Sequence, residues 1–591
     1  MKKNYLWIAA ALFAGILTLA CNKEQDPAEE VNPEQKEVEM VTETISARLG
    51  EGNTKAQVAE ETPTFTWSTG DRVAVRTNEG WFLSNALTEA GASATFTVTY
   101  SGTREAFAIF PSSLVFEDAE HVYSNSDTNN GSGDKALSVN LPSSYALADV
   151  SGDKAPCPMI ATNTAGSGWT FKHLCGLLRL TINGIPADAT TLTLDFLGRK
   201  MSGAFTIEHG NLVPGDKSCV IASDSGADKI TITGLSSVSS VTVNIPLPTG
   251  TYDDIVVTSN SSKIKRMAVR HIKGSTYAAS RAHRRKLTAT LVSFTVGDGK
   301  KVIIAPGNLQ YQASTNTWRF AENQYDFVGD NTYGNVYVAA VKSSNALMAS
   351  DYTGWIDMFG WGTSGWPNSG EGSSGVASWI NYQPWASEDR VDHSATYPNN
   401  KWGYGPDNAD AITIGLTGTY KNGDWGVYNI IGSYSADTWR TPSQEEMLYA
   451  IGKTEDPAIA GHSTVGYATV DGVSGIIILP DSFIDPMKNG GSGAFINSET
   501  KEYSTNYYSA SDWVFMESAG AVFLPASGVR RGFVMTDINI PNSMIGYYWL
   551  NTASSDFNEK GNCVRFGHSY LYSHYAINRC YGAAVRLVRD L

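Results

Sequence analysis

Cysteine is scarce: six in 591 residues, too few to hold the chain as a disulfide scaffold. Charged residues make up 17% and the formal net charge is −15 at pH 7, which leaves no electrostatic case for binding nucleic acid. Beyond residue 20 no apolar run approaches the roughly 20 residues that a membrane-spanning helix needs. Catalytic signatures are missing as well: Gly-x-Ser-x-Gly, His-Glu-x-x-His and the phosphate-binding loop do not occur. Asp407 and Asp410 flank Asn408, but without the spacing of a calcium loop. The reading is of a chain with no cofactor, no metal and no catalytic step.

What is present begins at the N-terminus. Lys2 and Lys3 precede about a dozen apolar residues that end in Thr18-Leu19-Ala20-Cys21, the layout of an export signal. Ala20 before Cys21 resembles a bacterial lipobox, with Thr18 standing where leucine is usual. The resemblance implies that Met1 to Ala20 is removed and that Cys21 carries the lipid of an outer-membrane lipoprotein displayed at the cell surface. Residues 21–40, rich in Glu and holding Pro27 and Pro33, read as a flexible acidic tether.

Composition changes near residue 290. Four of the 15 tryptophans precede it and 11 follow, so the two halves build different cores. The first half consists of short alternating strands between Gly, Pro, Ser and Asp: ATFTVTY (94–100), AFAIFP (106–111), LLRLTI (177–182), TLTLDF (191–196), KITITG (229–234), SVTVNIPLP (240–248) and DIVVTS (254–259). Period-two patterning with turn signals every ten or so residues predicts antiparallel sandwiches, divided as 41–162 and 163–288. Trp67 reads as core beside a Gly70-Asp71 turn, with Val73 and Val75 inward, and His173 as a core histidine. The nine Lys and Arg of residues 263–286 read as a solvated strand face with a linker.

FTWSTGDRVAV (65–75), FAIFPSS (107–113), PMIAT (158–162), FKHLCGLLRLTI (171–182) and IPLPTGTYDDIVVT (245–258), in this order, resemble the fimbrillin family of Bacteroides-type pilins and pilus-associated lipoproteins. That resemblance implies a spacer or pilus-assembly module and other pilins as partners.

From Val292 the texture is different. Residues 294–329 open with hairpin-like strands, and GWIDMFGWGTSGW (354–366) is rich in Gly and Trp without a period. WRTPSQEEMLYAIG (439–452) reads as a helix capped by Thr441, with Pro442 in the first turn and Gln444 completing a capping box. Trp439-Arg440-Thr441-Pro442, Ala521 to Ala526, Tyr548-Trp549, Val564-x-Phe566 and Arg579-x-x-Gly582-x-x-Val585-Arg586-Leu587-Val588 together resemble the C-type-lectin-like fold, in the branch shared with formylglycine-generating enzymes and gut-bacterial surface paralogues. The fold class expected is therefore mainly β: two fimbrillin-like β-sandwiches, then an α+β C-type-lectin-like domain over 289–591. The enzyme branch uses a close cysteine pair, whereas Cys563 and Cys580 stand 17 apart; disulfide and buried thiols both remain open. The Glu-Pro-Asn, Gln-Pro-Asp and Trp-Asn-Asp triplets of calcium-dependent lectins are absent.

The resemblance implies that the segment before the last strand lies on an exposed face. Val564, Phe566, Leu571, Arg579, Gly582, Val585 and Leu587 would be its buried framework. Arg565, Gly567, His568, Tyr570, Tyr572, His574, Ala576, Asn578, Cys580, Tyr581 and Ala583 would be the surface that binds an external protein or glycan. Tyr570, Tyr572, Tyr575 and Tyr581 offer large contact area for few rotatable bonds. Lys, Glu, Gln, Met and Trp are all missing from Asn562 to Ala584, a pattern similar to proteins diversified by retroelements that rewrite adenines. The function expected is that of an adhesin or pilus-tip component; a structural pilus subunit and an enzyme of the formylglycine-generating branch are the rivals.

Overall fold

The structure is a computed structural model that describes residues 39–49, 66–115, 137–152, 154–155, 158–162, 168–208, 220–223, 226–272, 284–312, 314–327, 354–362, 415–452, 463–486, 503–531, 534–536, 544–556, 560–579 and 581–591. It is mainly β. The signal, Cys21, the tether, Asp407, Asp410 and Cys580 lie outside the described residues.

A seven-stranded sheet opens the fold, in the order Gly80–Leu83, Ala74–Thr77, Arg104–Phe110, Met159–Thr162, Trp169–His173, Val41–Leu49, Ser93–Tyr100. Trp67 anchors one face, meeting Phe96, Phe110 and Phe171 edge-on at 5.1, 5.1 and 5.3 Å. Gly70 supplies the positive φ (+93°) of the turn beside it, where Asp71 accepts from the Ser68 amide at 2.7 Å. Phe107, Ile109 and Ile160 point the other way, as alternation demands, and a small sheet of Leu137–Leu141, Gly203–Glu208 and Val220–Ser223 covers them.

The second unit packs a five-stranded sheet (Met267–His271, Asp254–Ser259, Thr191–Asp195, Lys229–Thr233, Ser144–Ala146) on a three-stranded one (Ser240–Leu247, Gly176–Asn183, Arg284–Thr290). Leu178, Leu180 and Ile182 meet Leu192, Leu194, Ile230 and Ile232 between them, each worth about 1.5–3 kcal/mol of burial. The expected division at 162/163 is not a clean cut. Trp169–His173 belongs to the first sheet and Ser144–Ala146 to the second unit, so the two units exchange strands across it. His173 is held neutral, its pKa pushed down to about 4 by burial.

The last unit, from Val292, starts with the hairpins Phe294–Gly297/Lys300–Ile304 and Leu309–Gln312/Thr317–Phe320. Its final strand, Val588–Asp590, returns to pair with Lys300–Ile304. Between them stand a four-stranded sheet (Tyr507–Tyr508, Val465–Val470, Val473–Ile478, Val522–Pro525) and a three-stranded one (Gly546–Ala553, Lys560–Gly567, Tyr570–Asn578). The helix is Gln444–Ile451, and its cap is Ser443 rather than Thr441: Ser443 Oγ accepts from the Glu446 amide and Glu446 closes the capping box. Thr441 is instead buried, its amide donating to Asp424 Oδ2 at 2.8 Å. Arg440 clamps this helix start to the chain end, pairing with Glu446 at 2.7 Å and Asp590 at 2.6 Å. Arg586 is fully enclosed and donates to Asn308 Oδ1, Ala305 O, Gln324 O and Phe523 O at 2.9–3.3 Å.

The basic stretch 263–286 does not end in a free linker where it is described. Met267 joins Val256 in the core of the last unit, Arg270 lies 3.9 Å from Glu517, and Tyr434 Oη donates to the buried Asp254 Oδ2 at 2.8 Å. Second and third units are therefore joined by shared apolar and polar burial.

Candidate binding face

The segment 560–578 forms a β-hairpin: Lys560–Gly567 pairs antiparallel with Tyr570–Asn578 through a two-residue turn at His568 and Ser569. Val564, Phe566 and Leu571 point into one core, with Tyr548 and Leu550 of the neighbouring strand. Cys563 and Ile577 point into the other, with Tyr547 and Trp549. Two apolar faces explain why both Cys563 and Val564 are enclosed.

The missing period has a local cause. Cys563 pairs with Tyr575 and Arg565 with Tyr572, so Ser573 and His574 together oppose Val564. One extra residue on one strand is a β-bulge, which re-aims the side chains that follow. Hence His574 and Tyr575 are both exposed although adjacent. Tyr572 and Tyr575 consequently share a face, on the edge strand of the sheet, at 39% and 38% exposure.

Tyr570, Tyr572 and Tyr575 form a row, with ring centroids 5.2 and 6.0 Å apart and planes tilted by 35° and 34°. Arg565 lies among them, its Cζ 4.5 Å from the Tyr575 ring centroid, 4.8 Å from Tyr570 and 5.5 Å from Tyr547. Such distances are those of cation–π attraction. Tyr547, only 4% exposed, is the cross-strand partner of Arg565 and the floor of the cluster.

The expected surface residues divide. Arg565 and Tyr572 come together at this face; His574 is exposed in the bulge; His568 lies in the turn, its ring 6.5 Å edge-on from Tyr503. Ala576 and Asn578 follow along the strand, partly exposed. Ala583 is a correction: it is 0% exposed and exchanges backbone hydrogen bonds with Phe359, so it is core. Gly567 is a second correction. It is buried, and a Cβ there would come within 2.7 Å of the Tyr570 ring; it seats Tyr570 rather than touching a ligand. Tyr570 and Tyr581 are half-buried against the core instead of open to solvent. The buried framework stands as expected, with Arg579 enclosed under Trp361 at 4.5 Å and donating from Nε to Lys560 O.

Tyr575, expected among the contact tyrosines though outside the eleven-residue surface, belongs to this face, and Tyr547 joins it unexpected. Tyr547 needs the cross-strand register to be found. Cys563 is a buried free thiol that donates to Tyr575 O at 3.2 Å, and burial pushes its pKa far up. Among the described residues no group of three His, Cys, Asp or Glu is placed to hold a metal ion, and no helix is long and apolar enough to cross a membrane.

Comparison with known proteins gives likenesses of structure alone. No family model matches the chain, and no curated protein matches it. It is similar to a candidate cell-adhesion protein of Bacteroides ovatus, at 13% identity, over 42% of this chain and 91% of that one, with a TM-score of 0.26. It is also similar to the C-terminally truncated tip fimbrial protein Mfa3 of Porphyromonas gingivalis, at 12% identity over 40% and 80%, TM-score 0.15. A fimbrial assembly protein of Parabacteroides distasonis matches at 10% identity over 48% and 99%, TM-score 0.17.

Proposed function

We propose that the chain is a lipid-anchored cell-surface adhesin or pilus-tip component, whose last unit binds an external ligand through the Tyr572–Tyr575–Arg565 face. The observation that carries this reading is the aromatic row itself. Two exposed tyrosines are held in tilted ring contact on the edge strand of a sheet, beside a cation, and large aromatics with few rotatable bonds are the usual anchors of recognition. The first two units act as a spacer. Their junction with the last unit is buried and hydrogen-bonded, which suits a head held out stiffly from the membrane. The first cysteine after the export signal, Cys21, would carry the anchor.

A catalytic role has little to support it. A nucleophilic thiol needs ionisation, and Cys563 is enclosed in an environment that opposes it. The test is the double substitution Tyr572→Ala and Tyr575→Ala in the full chain displayed on cells. Attachment to host-cell and mucus surfaces should fall at least tenfold while the melting temperature stays within about 2 °C, because neither ring is core. Full attachment by a folded double variant would remove this face from consideration.

A further inference from the structure

The charge at position 565 is the feature that the sheet does not explain. Arg565 is half-buried and ringed by Tyr547, Tyr570 and Tyr575. Tyr547 hydrogen-bonds to it, and its Nε–H is enclosed, so the donors that a ligand can reach are those of the terminal nitrogens that Tyr547 leaves over. Among the described residues no carboxylate pairs with it. A guanidinium held in one orientation by ring faces, with donors left over, is built to receive a planar anion two-pronged.

Beside it the row of Tyr570, Tyr572 and Tyr575 is a shallow strip, not a socket. The spacing of its rings, 5.2 and 6.0 Å, is comparable to that of successive sugar rings in an extended oligosaccharide. The C–H faces of pyranoses stack on such rings, and the exposed Tyr572 and Tyr575 bring phenol hydroxyls that can exchange hydrogen bonds with sugar hydroxyls. An acidic peptide would satisfy the arginine, but it would leave the flat aromatic strip with no partner of matching shape.

We infer that this face takes a carboxylate-bearing pyranose: the sugar carboxylate on the Arg565 guanidinium, and neighbouring sugar rings on Tyr572 and Tyr575. This rests on the ligand-binding reading above and names the ligand class.

The test is calorimetric titration of the full chain with tetragalacturonate, its methyl ester, 3′-sialyllactose, neutral tetragalactose and tetraglutamate. Tetragalacturonate or sialyllactose should bind at least tenfold more tightly than the ester and the neutral sugar, the two acids distinguishing a uronate from a sialate. Added salt should narrow that gap. Arg565→Gln should bring the acid-to-neutral ratio close to one, and Arg565→Lys should restore only part of it. Tyr572→Ala, which removes a ring that does not cage Arg565, should weaken acid and neutral sugars alike. The inference is overturned if neither acidic sugar binds, if the ester binds equally well, or if tetraglutamate binds most tightly. The acid-against-ester comparison uses the unaltered chain, so it does not depend on any variant folding. Loss of the acid preference alongside loss of attachment by the tyrosine double variant would sink the ligand class and leave the adhesin reading standing.

Discussion

Replacing Tyr434 by Phe removes one oxygen from the junction between the second and the last unit. In the native chain Tyr434 Oη donates to Asp254 Oδ2 at 2.8 Å, and His271 Nδ1 lies 2.8 Å from Asp254 Oδ1. Asp254 is 6% exposed, so water cannot take the place of the lost donor without opening the junction. Phe keeps the ring and its edge-on contacts with Phe320 and Trp439, at 6.1 and 5.4 Å, and therefore leaves no cavity. The loss is then that of a hydrogen bond to a charged group, about 1.5–3 kcal/mol. A central value of about 2 kcal/mol corresponds to roughly 30-fold in an opening equilibrium. Hydrogen exchange of the full chain is the direct assay. Amides of Asp254–Ser259 on the spacer and of Ile431 and Tyr434 on the head should lose protection together by about that factor. The thermal transition that contains the junction should fall by about 4–8 °C, on the basis of roughly 2–4 °C per kcal/mol for units of this size. Loss of protection on the head side alone, or a shift below about 1 °C, would refute the claim that the two units share one cooperative junction.

The same junction carries a pH dependence. Burial alone would lower the pKa of His271, but the hydrogen bond and charge of Asp254, with Glu322 and Asp253, outweigh it and leave the folded value raised. A raised folded pKa means that the stabilisation is complete below the unfolded value of about 6.5 and is lost as pH rises through the folded value. Melting curves between pH 5 and 9 should show that decline, and His271→Gln should flatten it. At the binding face, Gly567→Ala places a methyl within 2.7 Å of the Tyr570 ring. Overpacking of this kind costs about 1–3 kcal/mol and tips Tyr570 away from Arg565, so a melting measurement should record the loss and a binding measurement a weaker complex.

Much of the spacer is readable from alternation alone. Asp254–Ser259 falls where DIVVTS places it, and Lys229–Thr233 and Thr191–Asp195 differ from the sequence reading by one residue at one end. What alternation cannot show is which sheet a strand joins. Ser144–Ala146 and Trp169–His173 cross the expected boundary because pairing is decided by non-local partners. The helix start shows a similar limit: Thr441 and Ser443 are both competent caps, and burial of Thr441 against Asp424 decides between them. At the candidate face most framework residues are apolar and so readable, whereas Arg579, under Trp361, came only from the resemblance. That Tyr575 shares a face with Tyr572 was not readable, because the bulge breaks the period on which inside and outside are told apart. Ala583 misled because a small residue has no side chain to announce its face.

Arginines elsewhere in the head show what position 565 lacks. Arg586 is enclosed, and four oxygens accept from it; even so, burial lowers its pKa to about 10. Arg440 is held by two carboxylates, Glu446 and Asp590. In both, the cation is offset by acceptors supplied from within, as burial of charge requires. Arg565 is ordered by three tyrosine rings and a single phenol, and among the described residues no carboxylate pairs with it. A guanidinium kept only for solubility would gain nothing from that ordering and would lose up to about 2 kcal/mol of rotamer entropy. Pre-ordering is favourable when something arrives from outside, since the cost is then no longer met at binding. The contrast between these three arginines is therefore a physical argument that the counter-charge of Arg565 is carried by a ligand.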